Sequence, residues 1–105
     1  MNSAAANLRE GAETCFSTPF AGVLRIECTD DGSSLWIDGR VTPPSVSEGA
    51  PPEVSSSFCL WRGEGLMLRS VLTGQRHLET ALTGGQLKVS GDMAVMARLE
   101  LKGAS

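Results

Sequence analysis

Residues 84–99 read GGQLKVSGDMAVMARL, a short strand-like run that ends in a glycine and is followed by an almost entirely apolar segment. From Val95 onward the segment alternates as a strand does, but its residue types are mainly strong helix formers. Asp92 stands where a carboxylate favours a helix N-terminus. We therefore predict a helix over 93–101, although periodicity alone does not choose between helix and strand.

In the upstream sequence, apolar residues recur at every second position in some segments and at helical spacing in others. Residues 22–28 alternate, with Leu24 and Ile26 on one face and charged residues on the other, which predicts a half-buried strand. Residues 4–16 repeat apolar side chains at helical spacing. The predicted elements are a helix at 4–16, strands at 22–28, 34–41 and 53–61, a helix around 67–72 closed by Gly74, a short helix at 78–82 closed by Gly84, and a strand at 86–90 before the terminal helix.

Two segments interrupt these patterns. Asp38-Gly39 predicts either a bulge or an early turn within the second strand. Residues 42–52 hold four of the five prolines and are predicted to form a loop, because proline cannot donate to a strand ladder. A run of strands and helices without regular alternation predicts one α+β domain over 1–105. We expect a mainly antiparallel sheet of about four or five strands with helices packed on one face.

Composition excludes several classes of protein. The chain has 105 residues, is 41% hydrophobic and 20% charged, and carries a net charge of -3. No basic stripe is present, so we predict no nucleic acid partner. No run approaches the ~20 apolar residues of a membrane span, so no integral membrane association is predicted. The start lacks a secretory pattern, and three cysteines without a CxxC pair indicate reduced thiols. We predict a cytoplasmic protein.

Candidate catalytic and metal-binding residues have simpler interpretations. His77 is the single histidine and has no cysteine near it in sequence, so no metal site or cofactor is predicted. The sequence has no GxSxG motif, and Ser55–Ser57 are interpreted as a polar strand. Asp30 and Asp31 are interpreted as turn-forming residues in preference to acid–base partners. Cys59 is a candidate nucleophile, but we favour its interpretation as a small buried hydrophobic residue. We therefore predict that the protein is not an enzyme.

The terminal third resembles the signature of the sterol carrier protein type 2 family, also called non-specific lipid-transfer proteins. That signature has an alanine, a glycine, Leu-Lys, an aliphatic residue, a second glycine, Asn or Asp, methionine, and a basic residue before a leucine. The matching positions are Ala81, Gly85, Leu87, Lys88, Val89, Gly91, Asp92, Met93, Arg98 and Leu99. Upstream, Trp36 and Asp38 and the sequence LTG at 72–74 resemble further features of the family.

The resemblance implies a sterol-carrier-like fold with an apolar tunnel between the sheet and its helices. Burial of a sixteen-carbon acyl chain contributes about 12 kcal/mol gross, of which association takes back at least ~4 kcal/mol. Hydrophobic binding without polar contacts is therefore plausible, and we predict binding and transfer of a fatty acyl chain, sterol or other lipid. The predicted apolar lining consists of Leu24, Ile26, Phe58, Met67, Val71, Leu82, Met93 and Met96.

Three questions stay open from the sequence. A ligand-free structural domain that forms a homodimer is the first alternative, and an accessory subunit that presents a lipophilic intermediate to a partner enzyme is the second. Trp36 belongs to the sheet, but its face is not assigned. Arg98 either meets a ligand carboxylate or phosphate at the tunnel mouth or lies on the outer face of the last helix.

Overall fold

The computed structural model of the protein describes residues 3–54 and 58–99. Within these ranges the order of elements is the one predicted from the sequence, with one additional strand. The elements are α1 (Ala4–Cys15), β1 (Val23–Cys28), β2 (Ser34–Asp38), β3 (Ser45–Ser47), β4 (Cys59–Gly63), α2 (Gly65–Leu72), α3 (Leu78–Thr83), β5 (Lys88–Gly91) and α4 (Ala94–Arg98).

The strands form a single mixed sheet in the order β3-β2-β1-β4-β5. The central pair, β1 and β4, is parallel, whereas the other three pairs are antiparallel. Two parallel strands need a long crossover connection between them. The segment between β2 and β4, which includes β3, is part of the connection from β1 to β4. The prediction of an α+β fold with a mainly antiparallel sheet is confirmed.

Side-chain alternation gives the sheet two different faces. Leu24 and Ile26 are fully buried in the main core, together with residues of all four helices. The opposite face carries a smaller cluster in which Trp36 packs with Val23, Val54 and Phe58. The helices therefore cover one face of the sheet, and Trp36 lies on the other face.

The predicted loop at 42–52 is corrected, because it contains β3. Val46 is paired with Ile37 of β2, and its side chain is buried in the main core. Hydrophobic burial and an edge position explain the strand, since the prolines fall outside its three residues. The second predicted strand ends at Asp38, so the early turn at Gly39 is the correct alternative.

Two further boundaries differ from the prediction. The strand predicted at 53–61 is observed as β4 from Cys59 onward, and residues 55–57 lie outside the described residues. Helix α3 ends with Gly84 in a right-handed conformation, while Gly85 takes the positive φ of 74°. The left-handed residue that closes this helix is thus one position later than predicted, and its N–H bonds to the carbonyl of Leu82.

The turn between β1 and β2 caps two helices. Asp30 Oδ1 accepts a hydrogen bond of 2.7 Å from the backbone N–H of Gly65, the first residue of α2. Asp31 Oδ2 accepts one of 2.9 Å from the N–H of Ala4, the first residue of α1. Hydrogen bonds from Ser33 and from this N–H lower the pKa of Asp31. These carboxylates therefore anchor both helices to the sheet, in addition to forming a turn.

The terminal segment is helical, as predicted, from Ala94 to Arg98, whereas Leu99 is already extended. Asp92 Oδ1 accepts a hydrogen bond of 3.1 Å from the N–H of Ala94, and its backbone carbonyl accepts one from Val95. The carboxylate thus stabilises the start of α4, as expected from its position in the sequence. Residues 100 and 101 of the predicted helix lie outside the described residues.

A buried carboxylate fastens the long connection to the sheet. Asp38 is only 8% exposed, and its two oxygens accept hydrogen bonds from Arg40 Nε at 2.8 Å and Nη2 at 3.1 Å. The same Nη2 donates to the carbonyl oxygen of Pro52 at 2.9 Å. The hydrogen bonds from Arg40 lower the pKa of Asp38. The pair therefore holds the 42–52 segment near the end of β2.

The substitution Asp38→Asn is expected to destabilise the protein in a pH-dependent way. Because the folded-state pKa is lowered, the ionised carboxylate stabilises the fold above its unfolded pKa of about 3.9. This contribution is lost as pH falls below that value. Urea unfolding at about pH 6 should show wild type more stable by about 1–2 kcal/mol, and the difference should narrow at about pH 3. A difference that stays constant between the two pH values would contradict this role.

Candidate functional site

The space between the helices and the sheet is organised around one buried tryptophan. Trp61 of β4 is 0% exposed, and the centroid of its ring lies 6.1 Å from that of Phe16. Phe16 in turn lies 6.0 Å from Phe20. On its other side, Trp61 Nε1 donates a hydrogen bond to Met96 Sδ at 3.0 Å. The rings of Phe20, Phe16 and Trp61 therefore form an aromatic row from the end of α1 to β4, and Met96 connects this row to α4.

Six of the eight predicted lining residues belong to this interior. Leu24, Ile26 and Val71 are 0% exposed in the main core. The other three are partly buried and pack against the same core: Met67, Leu82 and Met96. The first group therefore forms a fixed wall, whereas the second lies at its periphery. Methionine and leucine side chains at a periphery can change rotamer without leaving the core incomplete.

The other two predicted lining residues lie elsewhere. Phe58 precedes Cys59, which faces the helices, so alternation places Phe58 on the opposite face of the sheet. Its ring contacts that of Trp36 edge-on, with centroids 5.0 Å apart. Met93, before the start of α4, is 53% exposed and belongs to neither buried cluster. The structure thus separates both residues from the other six.

Helix α4 is fastened by a residue whose role the sequence left open. Arg98 Nε donates to the carbonyl oxygen of Phe20 at 2.9 Å, and Nη2 donates to that of Ala21 at 3.1 Å. Val95 packs so closely against Gly22 that a Cβ atom there would lie 2.8 Å from Val95 Cγ2. Arg98 therefore binds backbone carbonyls. No local signal in the sequence indicates contacts between segments so far apart along the chain.

The helices differ in how much they bury. Helix α1 buries four residues and α2 buries three, whereas α3 buries only Ala81 and α4 only Val95. Because α3 and α4 each have one buried residue, the apolar area that they bury is smaller than that of α1 and α2. Helices α3 and α4 are therefore the weakest part of the cover over the sheet.

Among the open cavities at the surface of the described residues, two of the larger ones border the helices. One, of about 450 Å³, runs between α1 and α2 over Leu8 and Leu72, with Glu10 and Arg69 in its lining. The second, of about 390 Å³, lies where β4 ends and β5 begins. Its lining consists of Thr29, Arg62, Gly63, Glu64, Met67, Gly85, Gln86 and Lys88. Of these two cavities, the second includes a predicted lining residue, Met67.

Two of the buried thiols, those of Cys28 and Cys59, are poor nucleophiles. Burial, together with a smaller effect of nearby carboxylates, raises the pKa of Cys28 and of Cys59 to about 11. Both thiols are therefore protonated at neutral pH. Among the described residues, no group of three or more His, Cys, Asp or Glu side chains is placed to hold a metal ion. No helix in the described ranges has the length and apolarity needed to cross a membrane.

The fold and its interior define a class of protein. A five-stranded mixed sheet with helices on one face is the fold of solved sterol carrier proteins. Residues 7–101 match the model of the SCP-2 sterol transfer family. The chain belongs to this family, as the terminal motif predicted.

Solved structures with this fold share little sequence with the protein. Sterol carrier protein 2 from Yarrowia lipolytica, in its apo form, has 16% identity and a TM-score of 0.61, over 90% of this chain and 80% of that chain. The ubiquinone synthesis protein UbiJ-SCP2 has 19% identity and a TM-score of 0.57, over 90% and 87%. Palmitated SCP2L2 from Aedes aegypti has 18% identity and a TM-score of 0.50, over 72% and 66%. A comparison with curated proteins finds no significant match.

Proposed function

We propose that this protein binds a hydrophobic ligand between its helices and its sheet, and transfers it without covalent chemistry. A fatty acyl chain or a sterol is the class of ligand that the family suggests. The observation that carries the proposal is the shared position of six predicted lining residues around one core. The palmitate in the Aedes aegypti structure with the same fold is in keeping with an acyl ligand.

Ligand entry requires the core to rearrange, because its wall is closely packed. Leu24, Ile26 and Val71 have no exposed surface. Met67, Leu82 and Met96 are the side chains that an entering chain displaces, and the unbranched methionines have three rotatable bonds with which to adapt. Helices α3 and α4 bury the least and move most easily. Each ligand methylene that passes from water into the core contributes ~0.8 kcal/mol. This gain offsets the free-energy cost of rearranging the core.

Such a site recognises hydrophobic length and shape more than chemical detail. A change of one methylene alters binding by only about 1 kcal/mol, so a range of chains is accepted. This breadth suits a carrier, and presentation of a lipophilic intermediate to a partner enzyme would use the same binding step. The similarity to the ubiquinone synthesis protein UbiJ-SCP2 supports this second role, the presentation of an intermediate to an enzyme. A cytoplasmic location stays a prediction.

The substitution Met96→Arg is expected to abolish uptake of a fluorescent fatty acid. A guanidinium at this position would replace the Met96 side chain beside Trp61, at the edge of the apolar core, where an unpaired charge is disfavoured. Displacement titrations should show binding weakened by at least roughly tenfold, as expected for the loss of more than ~1.4 kcal/mol.

Met93→Arg is the matched control, because it places the same charge three residues earlier at an exposed position. It should bind within about twofold of wild type, since a surface substitution changes energies by less than ~0.5 kcal/mol. Circular dichroism of both variants checks that the fold is retained. Unchanged uptake by a folded Met96→Arg variant would contradict an interior site. If that variant unfolds, Met96→Gln provides a milder test.

A ligand-free homodimer predicts a different result for the purified protein. Leu66 is 81% exposed and Met93 is 53% exposed, so apolar side chains are available on the surface. Native mass spectrometry of protein purified from cells distinguishes the two functions. A carrier is expected to retain a lipid of discrete mass. An apo dimer that also fails to take up a fatty acid at tens of micromolar would favour the structural function.

A further inference from the structure

A groove runs between α1 and α2 on the exposed side of these helices. Its wider part has a volume of about 450 Å³, and the nearly buried side chains of Leu8 and Leu72 form its floor. A narrower part of about 140 Å³ continues past Arg69, which lines both parts, to Leu66. The groove lies outside the core, so a molecule that occupies it does not take the place of a ligand in the core.

The two helices that form the walls of the groove run in the same direction. A Cβ atom on Gly65, at the start of α2, would lie 3.6 Å from Ala4 Cβ at the start of α1. About two turns further along both helices, a Cβ atom on Gly11 would lie 3.6 Å from Leu72 Cβ. A two-fold axis perpendicular to the groove, close to Leu8, therefore places α2 of a second copy antiparallel over α1, and its α1 over α2.

One wall of the groove carries a projecting apolar side chain, and the other wall has a glycine where that side chain would lie. Leu66 is 81% exposed on α2. Gly11 stands inside α1, although glycine is the least favourable residue in a helix interior after proline. A Cβ atom there would make only ordinary contacts, at 3.6 and 3.7 Å, so packing within one chain does not require the glycine. The two-fold arrangement brings Leu66 of each copy over Gly11 of the other, where the absence of a side chain leaves room.

The charges along the groove are complementary between two copies. Glu10 on α1 and Arg69 on α2 both line the groove and are exposed. Over residues 3–54 and 58–99, neither side chain has an ion-pair partner within 4.0 Å. The same two-fold axis brings Arg69 of one copy within about one helical turn of Glu10 of the other. Each such contact occurs twice, because both copies contribute the same surface.

We propose that the groove between α1 and α2 is a homodimer interface, in which Leu66 packs over Gly11 and Arg69 pairs with Glu10 across the two-fold axis. The dimer is weak, with a dissociation constant of tens of micromolar, because its contact area is small and its ion pairs are exposed. Within the described residues, the lining of the groove includes no residue of α3 or α4. The dimer therefore forms with or without a ligand in the core, and this inference is independent of the proposed function.

Sedimentation velocity of the full chain from about 2 to about 300 μM tests the interface. Wild type should change from monomer to dimer over this range, so that unfolding measurements at low micromolar concentration report on the monomer. Leu66→Gln should weaken the dimer by at least roughly tenfold, since a central apolar contact is lost twice. Met93→Gln is the matched control, because it replaces an exposed apolar side chain outside the groove. It should leave the dissociation constant within about twofold of wild type.

Charge reversal tests the pairing across the axis. Glu10→Arg and Arg69→Glu should each weaken the dimer by at least roughly fivefold, because like charges then meet at the interface, and added salt should reduce this effect. The double variant should dimerise within about twofold of wild type, since the pair is restored with its charges exchanged. A change in the fold of the monomer would not produce such a rescue, and circular dichroism checks the fold of every variant.

The outcomes separate this inference from the proposed function. A wild-type chain that stays monomeric over the whole range overturns the interface. A dimer that Leu66→Gln leaves unchanged does so as well, because its contacts would then lie elsewhere. Single charge reversals that weaken the dimer without rescue in the double variant contradict the pairing of Arg69 with Glu10. Uptake of a fluorescent fatty acid by Leu66→Gln should equal that of wild type, and a loss of uptake would show that the groove and the core are not separate sites.

Discussion

Replacing Trp61 with alanine is expected to lower the free energy of unfolding by about 3–5 kcal/mol, the range measured for large aromatic residues in cores. The side chain is 0% exposed, and its removal would leave a void between β4 and the covering helices. The Phe16 ring would lose its contact, and Met96 would lose its hydrogen-bond donor. Since small domains are stable by only about 5–15 kcal/mol, much of the stability of this protein depends on one residue.

Urea unfolding followed by circular dichroism measures this effect. Trp61→Phe should cost clearly less, because it keeps an aromatic ring and leaves a smaller void. Leu66→Ala is the control, since Leu66 is 81% exposed and its truncation should change stability by less than ~0.5 kcal/mol. A Trp61→Ala variant as stable as Leu66→Ala would mean that the interior around Trp61 is not closely packed.

The second large effect is expected from Gly39→Ala, with a loss of about 1–3 kcal/mol through overpacking. A Cβ atom at position 39 would lie 2.5–2.6 Å from three carbons of the Phe20 ring. Phe20 is only 3% exposed and is also fastened by its backbone, whose N–H donates to the carbonyl of Gly39. The ring therefore cannot move aside without disturbing the aromatic row that leads to Trp61.

Gly49→Ala provides the matched comparison for Gly39. A Cβ atom at position 49 would have no neighbour within 4 Å, so this substitution should be neutral or stabilise slightly by restricting the unfolded chain. A double-mutant cycle with Phe20→Leu tests the cause. The cost of Gly39→Ala should shrink when the ring is absent, because residues in contact do not contribute additively. Equal costs with and without the ring would contradict the proposed clash.

Helices and strands whose apolar residues recur with a clear period were predictable from the sequence. Helix α1 was expected at 4–16 and is observed at Ala4–Cys15. The alternation of Leu24 and Ile26 correctly indicated the buried face of β1. The terminal segment was ambiguous by period, but Asp92 and the residue types correctly favoured a helix. In each case the local preference and the tertiary environment agree.

Strand β3 shows where local signals fail. Its short length and the prolines around it hide a strand that exists because Val46 completes the core beside Ile37. The capping roles of Asp30 and Asp31 were also missed, although both were recognised as turn residues. A turn composition is visible in the sequence, whereas the helices that its side chains cap begin far away along the chain.

The structure brings some of the predicted lining residues together and separates others from them. Six of the predicted lining residues lie together, because apolar residues on the inner faces of helices and strands share one core, and their role in lining a ligand site stays a prediction. Phe58 was assigned to the wall formed by Leu24 and Ile26, but the register of β4 turns it to the opposite face. That register depends on the parallel pairing with β1. A shift of one residue would have reversed every side chain of the strand.

Residue types and their spacing established the identity of most elements, the family motif and the apolar character of the interior. These features need only neighbouring residues, whose preferences act over a few positions of the chain. Packing over the sheet settled the rest, including the face of Trp36, the burial of Val46 and the attachment of Arg98 to carbonyls 78 and 77 positions away. Such contacts form only when distant segments meet, so no local pattern encodes them.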